Sequence, residues 1–137
     1  MAISVPNINQ LDYGKAYCLA TCYLAMAKSF KYNIDMDTLK KAGIVSSLGY
    51  VESWGDYVAR GESKTYNVTE IKAAIDAGKP CVVTGQSSDG THYVVAYKYS
   101  GDTISVMEPY GGKTVAIDKS VLKSWSSYRA CTKGSKK

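Results

Sequence analysis

The sequence is poor in the residues that build metal centres and nucleic-acid interfaces. It contains a single histidine, and its four cysteines include no close C-x-x-C pair, so we expect no zinc site and no other cofactor. The net charge of +5 permits weak attraction to anionic lipid, nucleic acid or cell wall. The positive charge comes largely from scattered lysines, without an arginine cluster or a nucleic-acid-binding motif. We therefore predict no nucleic-acid partner.

Long apolar runs are also missing. The most apolar stretch, residues 17–27, is too short to cross a bilayer and contains Thr21. The first seven residues lack the basic start and apolar block of a signal peptide. We therefore expect no membrane span and synthesis in the cytoplasm, with export by another route or release by lysis as the ways out of the cell. In that compartment the four cysteines are expected to be thiols.

The length of 137 residues corresponds to one domain that can bury its own core. The sequence has no internal repeat and no low-complexity segment that would indicate a different organisation. We predict a single domain over residues 1–132 and a flexible basic tail over residues 133–137.

The first half of the chain has the apolar spacing of amphipathic helices. Helices are predicted over residues 19–30, 35–42 and 68–75. Cys18 precedes the apolar stripe of the first helix, in its first turn, and Asp37 is the expected N-cap of the second. Residues 46–64 are rich in glycine and aromatic side chains, and we predict an irregular connection there.

The second half of the chain changes to the alternation of β-strands. Four strands of an antiparallel meander are predicted over residues 81–85, 92–99, 103–107 and 113–117. Asp118 or Ser120 is expected to begin a short helix that reaches Trp125, and residues 128–132 are expected to form an edge strand. This order predicts an α+β fold in which N-terminal helices pack on a C-terminal antiparallel sheet of about four to five strands.

Two thiols compete for the role of a nucleophile. Cys22 lies inside the buried stripe of the first helix, where apolar surroundings raise the pKa of a thiol and make it inert. Cys18 lies at the start of the helix, where free N–H groups and the helix dipole favour a thiolate. Cys18 is therefore the predicted nucleophile.

The lone histidine, His92, is the natural base for such a thiol. A hairpin about residues 100–102 would bring His92 level with Glu108, whose carboxylate could orient the second ring nitrogen. Each residue also has a simpler interpretation, because a single histidine on a strand is often a hydrogen-bonded core residue and a glutamate before a proline is often a solvated turn residue.

Acyl transfer also needs hydrogen-bond donors for the oxyanion of the tetrahedral intermediate. The backbone N–H of Cys18 is one candidate, and the side-chain amide of Gln10 is the other. Gln86, predicted in the loop before His92, is an alternative donor.

Several of these residues fall within five segments of the chain, at residues 5–10, 18–26, 75–80, 92–95 and 104–112. Together the segments resemble the papain-like peptidases related to the bacterial double-glycine leader peptidases, over roughly residues 5–117. The resemblance implies a papain-like fold with Cys18 on a helix, His92 on a sheet and Gln10 as the oxyanion donor. Where that family usually has an aspartate before a proline, this chain has Glu108.

The residues and the resemblance together predict a cysteine hydrolase that cleaves amide bonds in a bacterial peptide or a peptidoglycan stem peptide. The alternatives are a protein-cleaving toxin or effector protease, an acyltransferase with the same Cys–His–acid logic, and a catalytically silent binding module on the same fold. The expected partners are the peptide substrate and a cognate inhibitor or immunity protein.

Overall fold

The computed structural model describes residues 3–137 and contains three α-helices. The helices are α1 (Cys18–Ser29), α2 (Met36–Lys41) and α3 (Val68–Asp76). Two of the helices have side-chain N-caps. Asp35 accepts a hydrogen bond from the Thr38 N–H in α2, and Asn67 accepts one from the Glu70 N–H in α3. Asp37 was the predicted cap of α2, but the extended backbone that a cap requires occurs at Asp35. None of the helices among residues 3–137 is long and apolar enough to traverse a membrane.

Within residues 3–137, seven strands form one antiparallel sheet. They are β1 (Val58–Arg60), β2 (Lys64–Thr65), β3 (Cys81–Ser87), β4 (Gly90–Ser100), β5 (Thr103–Glu108), β6 (Lys113–Ala116) and β7 (Ser124–Lys133). The order across the sheet is β1-β7-β3-β4-β5-β6, and β2 also pairs with β7. The fold is α+β as predicted, with more strands than the sequence indicated.

The additional strands come from the two segments that the sequence pattern described least well. Residues 128–132 were predicted to form an edge strand, but β7 lies inside the sheet, with β3 on one side and β1 and β2 on the other. The predicted irregular connection over residues 46–64 supplies β1 and the start of β2. These short strands pair with β7 and therefore form the edge that β7 was expected to occupy.

The predicted short helix that reaches Trp125 is also wrong. Only a 3-10 turn, Ile117–Lys119, forms there. The Lys123 N–H donates to the Gln86 carbonyl, and Ser124 pairs with Gln86 in the ladder between β3 and β7. Pairing with β3 satisfies the backbone groups that a helix would otherwise have bonded internally.

The core has two apolar layers, one on each face of the sheet. The face against α1 includes Val82, Val95 and Met107, and the face against α3 includes Val83, Val94 and Val106. Because neighbouring residues of a strand point to opposite faces, β3, β4 and β5 are apolar on both sides. α1 and α3 therefore hold the central strands between them, and this arrangement positions the start of α1 against β4.

The last residues differ from the predicted flexible tail. Lys133 ends β7, and the N–H groups of Gly134, Ser135 and Lys136 donate to the carbonyls of Tyr57, Gly55 and Asp56. The tail is held because β7 aligns it with the segment that leads into β1.

Candidate active site

Cys18 is the first residue of α1 and is half-buried. The preceding residue, Tyr17, makes no side-chain cap, which leaves the N–H groups of the first turn free of a side-chain acceptor. Tyr17 itself is buried, and its hydroxyl donates to the Ser47 carbonyl at 3.0 Å. Its ring lies against Gly49, where an added Cβ would come within 2.5 Å of the ring. Tyr17 therefore anchors the chain immediately before the thiol.

The other three cysteines are buried and are poor nucleophiles. Burial raises the pKa of Cys22 well above its usual value, and the Cys22 thiol lies 3.6 Å from the Tyr93 carbonyl. Burial likewise raises the pKa of Cys81 to about 12 and that of Cys131 to about 11. Cys18 is thus the one cysteine that is not buried among the described residues, and it lines an open cleft.

His92 lies on β4 and its Nε2 contacts Oε2 of Glu108, the last residue of β5. The strand register places the two residues diagonally rather than level with each other, because the pairing of Val95 with Met107 sets Glu108 opposite Val94, two residues from His92. A diagonal neighbour is farther away than a directly opposed one, but a long side chain can reach it. The extra methylene of a glutamate, compared with an aspartate, suits this offset.

The Glu108 carboxylate is fully buried, and both of its oxygens have protein partners. Oε1 accepts the Val121 N–H at 3.0 Å, and Oε2 accepts the Tyr110 N–H at 3.4 Å in addition to contacting His92. Burial of an unpaired carboxylate would be costly, so these donors and the imidazole are what allow a charged group at this position.

His92 is held between two groups that favour its charged form. Burial lowers the pKa of its imidazole, but side-chain hydrogen bonds with Cys18 and Glu108, together with their negative charges, raise the pKa to about 9. Because Nε2 faces Glu108, the nitrogen that remains for Cys18 is Nδ1. Near neutral pH these contacts favour the protonated ring, which lies between Cys18 and Glu108.

Gln10 is buried, 2 % exposed, and is the first residue of a 3-10 turn (Gln10–Asp12). Its backbone N–H donates to the Pro109 carbonyl at 2.8 Å, which ties this turn to the segment after Glu108. Its Nε2 donates to the Lys15 carbonyl at 2.8 Å, so one of the two amide hydrogens is engaged and the other is free to donate. This 3-10 turn forms the first part of the long connection between Gln10 and Cys18.

An open cleft of about 630 Å³ brings three of the predicted site residues together, and Glu108 lies behind His92. The cleft is lined by Gln10, Lys15, Ala16, Cys18, Ser87, Ser88, Asp89, Thr91, His92, Tyr110 and Val121. Gln86 does not line it: this residue lies in β3 rather than in a loop, is exposed, and donates to the Thr91 hydroxyl at 3.3 Å. Residues 3–137 contain no group of three or more histidine, cysteine or acidic side chains that could hold a metal ion.

Sequence reasoning missed the groups that support the site. Tyr17 positions the helix start, and the backbone N–H groups of Tyr110 and Val121 hold the Glu108 carboxylate. Almost every residue type has a backbone N–H, so the sequence offers no signal for the donors at Tyr110 and Val121. Tyr17 is adjacent to the thiol, but its partner Gly49 is distant in the sequence.

The model of the peptidase C39 family matches residues 10–137. No curated protein gives a significant match. The matched span begins at Gln10 and includes α1 with Cys18, the β4 strand with His92 and the end of β5 with Glu108. The accessible thiol at a helix start, facing an imidazole on a sheet, is the arrangement expected of a papain-like cysteine peptidase. The chain belongs to the peptidase C39 family of papain-like cysteine peptidases, which resembles the bacteriocin-processing double-glycine peptidase domains.

Proposed function

We propose that Cys18, His92 and Glu108 form a catalytic triad and that Gln10 and the Cys18 N–H form the oxyanion hole. The observation that carries the proposal is the position of the His92 ring: its Nε2 contacts the Glu108 carboxylate, and the ring lines the same cleft as Cys18. The competing thiols support the same assignment, because burial holds their pKa values high.

The first half of the reaction transfers the acyl group to the enzyme. The Cys18 thiolate attacks the carbonyl carbon of the scissile amide, and the carbon–oxygen π electrons move to the oxygen. The resulting oxyanion is stabilised by the Cys18 N–H and the free amide hydrogen of Gln10. The His92 imidazolium donates its proton to the amide nitrogen, and the carbon–nitrogen bond breaks as the carbon–oxygen double bond forms again. The amine departs, and the acyl group remains on Cys18 as a thioester.

The second half of the reaction regenerates the thiolate. Neutral His92 accepts a proton from a water molecule as the water oxygen attacks the thioester carbon. Collapse of this second intermediate breaks the carbon–sulfur bond, releases the carboxylic acid and restores the thiolate beside the imidazolium. The products together contain the atoms of the amide and one water molecule.

Glu108 acts through His92 and is a positioning residue. Its carboxylate accepts a hydrogen bond from the Nε2–H of His92, so Nδ1 is the nitrogen that exchanges a proton with Cys18 and the substrate. The donors at Val121 and Tyr110 keep the carboxylate in place during both halves of the reaction.

For the substrate we propose a bacterial peptide or a peptidoglycan stem peptide, with amidase as well as peptidase activity. The support is physical: an open cleft of about 630 Å³ can admit a peptide segment, and a net charge of +5 favours association with an anionic cell wall. We further propose that the protein is made in the cytoplasm and reaches such a substrate by an export route or by lysis.

The nucleophile is tested by alkylation with iodoacetamide, followed by mass mapping of the modified cysteine. The wild type and Cys22→Ala are expected to be labelled on residue 18 at similar rates, whereas Cys18→Ala should lose labelling and turnover. His92→Ala should label more slowly, because the imidazolium no longer stabilises the thiolate. Rapid labelling of Cys22 in folded Cys18→Ala, with activity retained, would contradict the assignment.

The reaction type and substrate class are tested on purified cell wall and on mixed peptides, with mass analysis of the released fragments. Hydrolysis adds one water to the products, whereas an acyltransferase forms an adduct when amines such as glycine amide are added. Fragments from the cell wall that are absent with Cys18→Ala would support the proposed wall substrate. Cleavage of mixed peptides alone would leave a peptidase with a different substrate.

A further inference from the structure

A second cavity, of about 240 Å³, lies beside the active-site cleft. Two of its lining residues, Leu19 and Tyr93, directly follow Cys18 and His92 in the chain. The cavity therefore shares its boundary elements, the start of α1 and β4, with the proposed catalytic pair. Cys18 and His92 are thus each one residue away, in the chain, from a residue of the cavity wall.

Tyr93 connects this cavity with the reacting sulfur. Burial and the charges of Cys18 and Cys22 raise the pKa of the Tyr93 phenol, while the positive charge of Arg129 lowers it. Tyr93 and Arg129 line the same cavity, and the charge of Cys18 also acts on the Tyr93 phenol.

The composition of the cavity is unusual for this chain. The sequence contains two arginines, Arg60 and Arg129, and both line it, while every other basic residue is a lysine. The residues that line the cavity include no aspartate or glutamate. Within residues 3–137, neither arginine takes part in a salt bridge. Two guanidinium groups thus face one cavity without an acidic partner in the described part of the chain.

Both arginine side chains are oriented by the protein. Arg129 Nη1 donates to the Gly61 carbonyl at 2.9 Å, and the Arg60 guanidinium lies 5.3 Å from the centre of the Trp54 ring. A guanidinium has five N–H donors, so each of these contacts leaves donors for a ligand. Trp54 and Tyr93 add aromatic surface, which displaces water from the charged groups and strengthens their interaction with an anion.

We propose that this arginine pocket, formed by Leu19, Trp54, Arg60, Thr84, Tyr93 and Arg129, binds the carboxylate of an acidic residue in the peptide substrate. The inference rests on the proposed function, because it places the pocket beside the bond that Cys18 attacks. Arginine binds a carboxylate through two parallel hydrogen bonds, which lysine cannot do. The pocket is smaller than the usual site for a drug-sized ligand, so its volume suits a single side chain.

The pocket is tested by measuring how well peptides protect Cys18 from iodoacetamide. The probes are hexapeptide mixtures, blocked at both ends, that carry either glutamate or glutamine at one fixed position and are matched elsewhere. One position of the hexapeptide should match the pocket. With the fixed residue at that position, the glutamate mixture should half-protect wild-type Cys18 at about a tenfold lower concentration than the glutamine mixture. In Arg129→Gln and in Arg60→Gln this ratio should fall towards about one, and Arg129→Lys should not restore it in full.

Lys98→Gln is the matched control, because it removes the same unit of charge from β4 at an exposed site outside the pocket. It should keep the wild-type ratio. Thermal melting is used to confirm that the variants fold. If Arg129→Gln is unfolded, Arg60→Gln decides the test, since the Arg60 guanidinium makes no hydrogen bond among the described residues and Arg60 is the exposed last residue of β1.

The two proposals fail in different ways. Equal protection by glutamate and glutamine mixtures at every position, with Cys18 still labelled rapidly, would overturn the arginine pocket and leave the triad intact. A ratio that drops equally in Lys98→Gln would also overturn it, because general electrostatic attraction would then explain the preference. Slow alkylation of Cys18 in the wild type, no faster than that of an ordinary thiol, would instead overturn the proposed function.

Discussion

At the residue scale, the proposed site depends on one buried carboxylate that does not line the cleft. Glu108 is fully buried, and it holds the Nε2 side of His92 while the other side of the ring meets Cys18. The charge of Glu108 and the hydrogen-bond direction it imposes therefore matter more than its bulk. Substitutions that preserve its shape and change its chemistry are the most informative.

Glu108→Gln should lower kcat by about 10²- to 10⁴-fold with little change in the fold. The glutamine keeps an oxygen for the Val121 N–H but presents an N–H₂ group to His92 Nε2, which favours the wrong tautomer of the imidazole. The measurement is kcat on a cleaved peptide, with Glu52→Gln as a control at an exposed site. Wild-type turnover in Glu108→Gln would contradict a positioning role for the carboxylate.

The ionisation of His92 predicts a pH dependence of stability. Its pKa is raised in the folded protein to about 9, against an ordinary value of 6.5. The folded state therefore gains stability from the protonated ring below about pH 6.5, and this gain is lost as the pH rises through about 9. The free energy of unfolding of the wild type, minus that of His92→Gln, should thus decrease between these pH values. A difference that stays constant, or that grows, would contradict the charged imidazolium.

At the element scale, the start of α1 is held by contacts with a distant loop. The Tyr17 ring lies against Gly49, and its hydroxyl donates to the Ser47 carbonyl. Gly49 has a φ of +92°, which disfavours any residue with a side chain. The loop thereby fixes the residue next to Cys18 without contacting the thiol itself.

Gly49→Ala should reduce both stability and activity, whereas Gly43→Ala should reduce stability alone. Gly43 also has a positive φ, of +75°, but nothing lies within 4 Å of an added Cβ, so its alanine carries only backbone strain of about 1–2 kcal/mol. The Gly49 methyl would in addition meet the Tyr17 ring and displace the helix start. Chemical denaturation and the rate of Cys18 alkylation measure the two effects. Equal alkylation rates in both variants would show that Tyr17 does not position the thiol.

At the scale of the whole molecule, the central strands belong to both apolar layers. β3, β4 and β5 contribute residues to the face against α1 and to the face against α3. Loss of packing on one face removes support from strands that the other face also needs. The two layers are therefore expected to unfold together.

Leu24→Ala in α1 and Ile75→Ala in α3 should each destabilise the protein by about 2–5 kcal/mol, and both variants should keep a single unfolding transition. Both side chains are buried, on opposite faces of the sheet. Trp54 packs against the first layer and Trp125 against the second. Trp125→Phe therefore leaves Trp54 as a fluorescent reporter of the first layer, and Trp54→Phe leaves Trp125 as a reporter of the second. Urea transitions that differ between the two reporters would contradict a shared core.

Much of the fold and of the candidate site was already readable in the sequence, because it depends on local chemistry. The apolar period of α1, the position of Cys18 before it and the alternation of β3 to β6 are short-range patterns, and they predicted the α+β class and the candidates Cys18, His92 and Glu108. The candidate Gln10 rested mainly on the family resemblance. The place of β7 depended on a partner in another part of the chain, and its own alternation looks the same at an edge as inside a sheet.

The sequence by itself determined which side chains are available for catalysis, since it holds one histidine and one cysteine at a helix start. Only the tertiary structure decided how they are arranged. The diagonal register of His92 and Glu108, the backbone donors behind the carboxylate and the meeting of Arg60 with Arg129 all depend on contacts between residues far apart in the chain. Such contacts form because the sheet must bury two apolar faces at once, and no local pattern encodes that requirement.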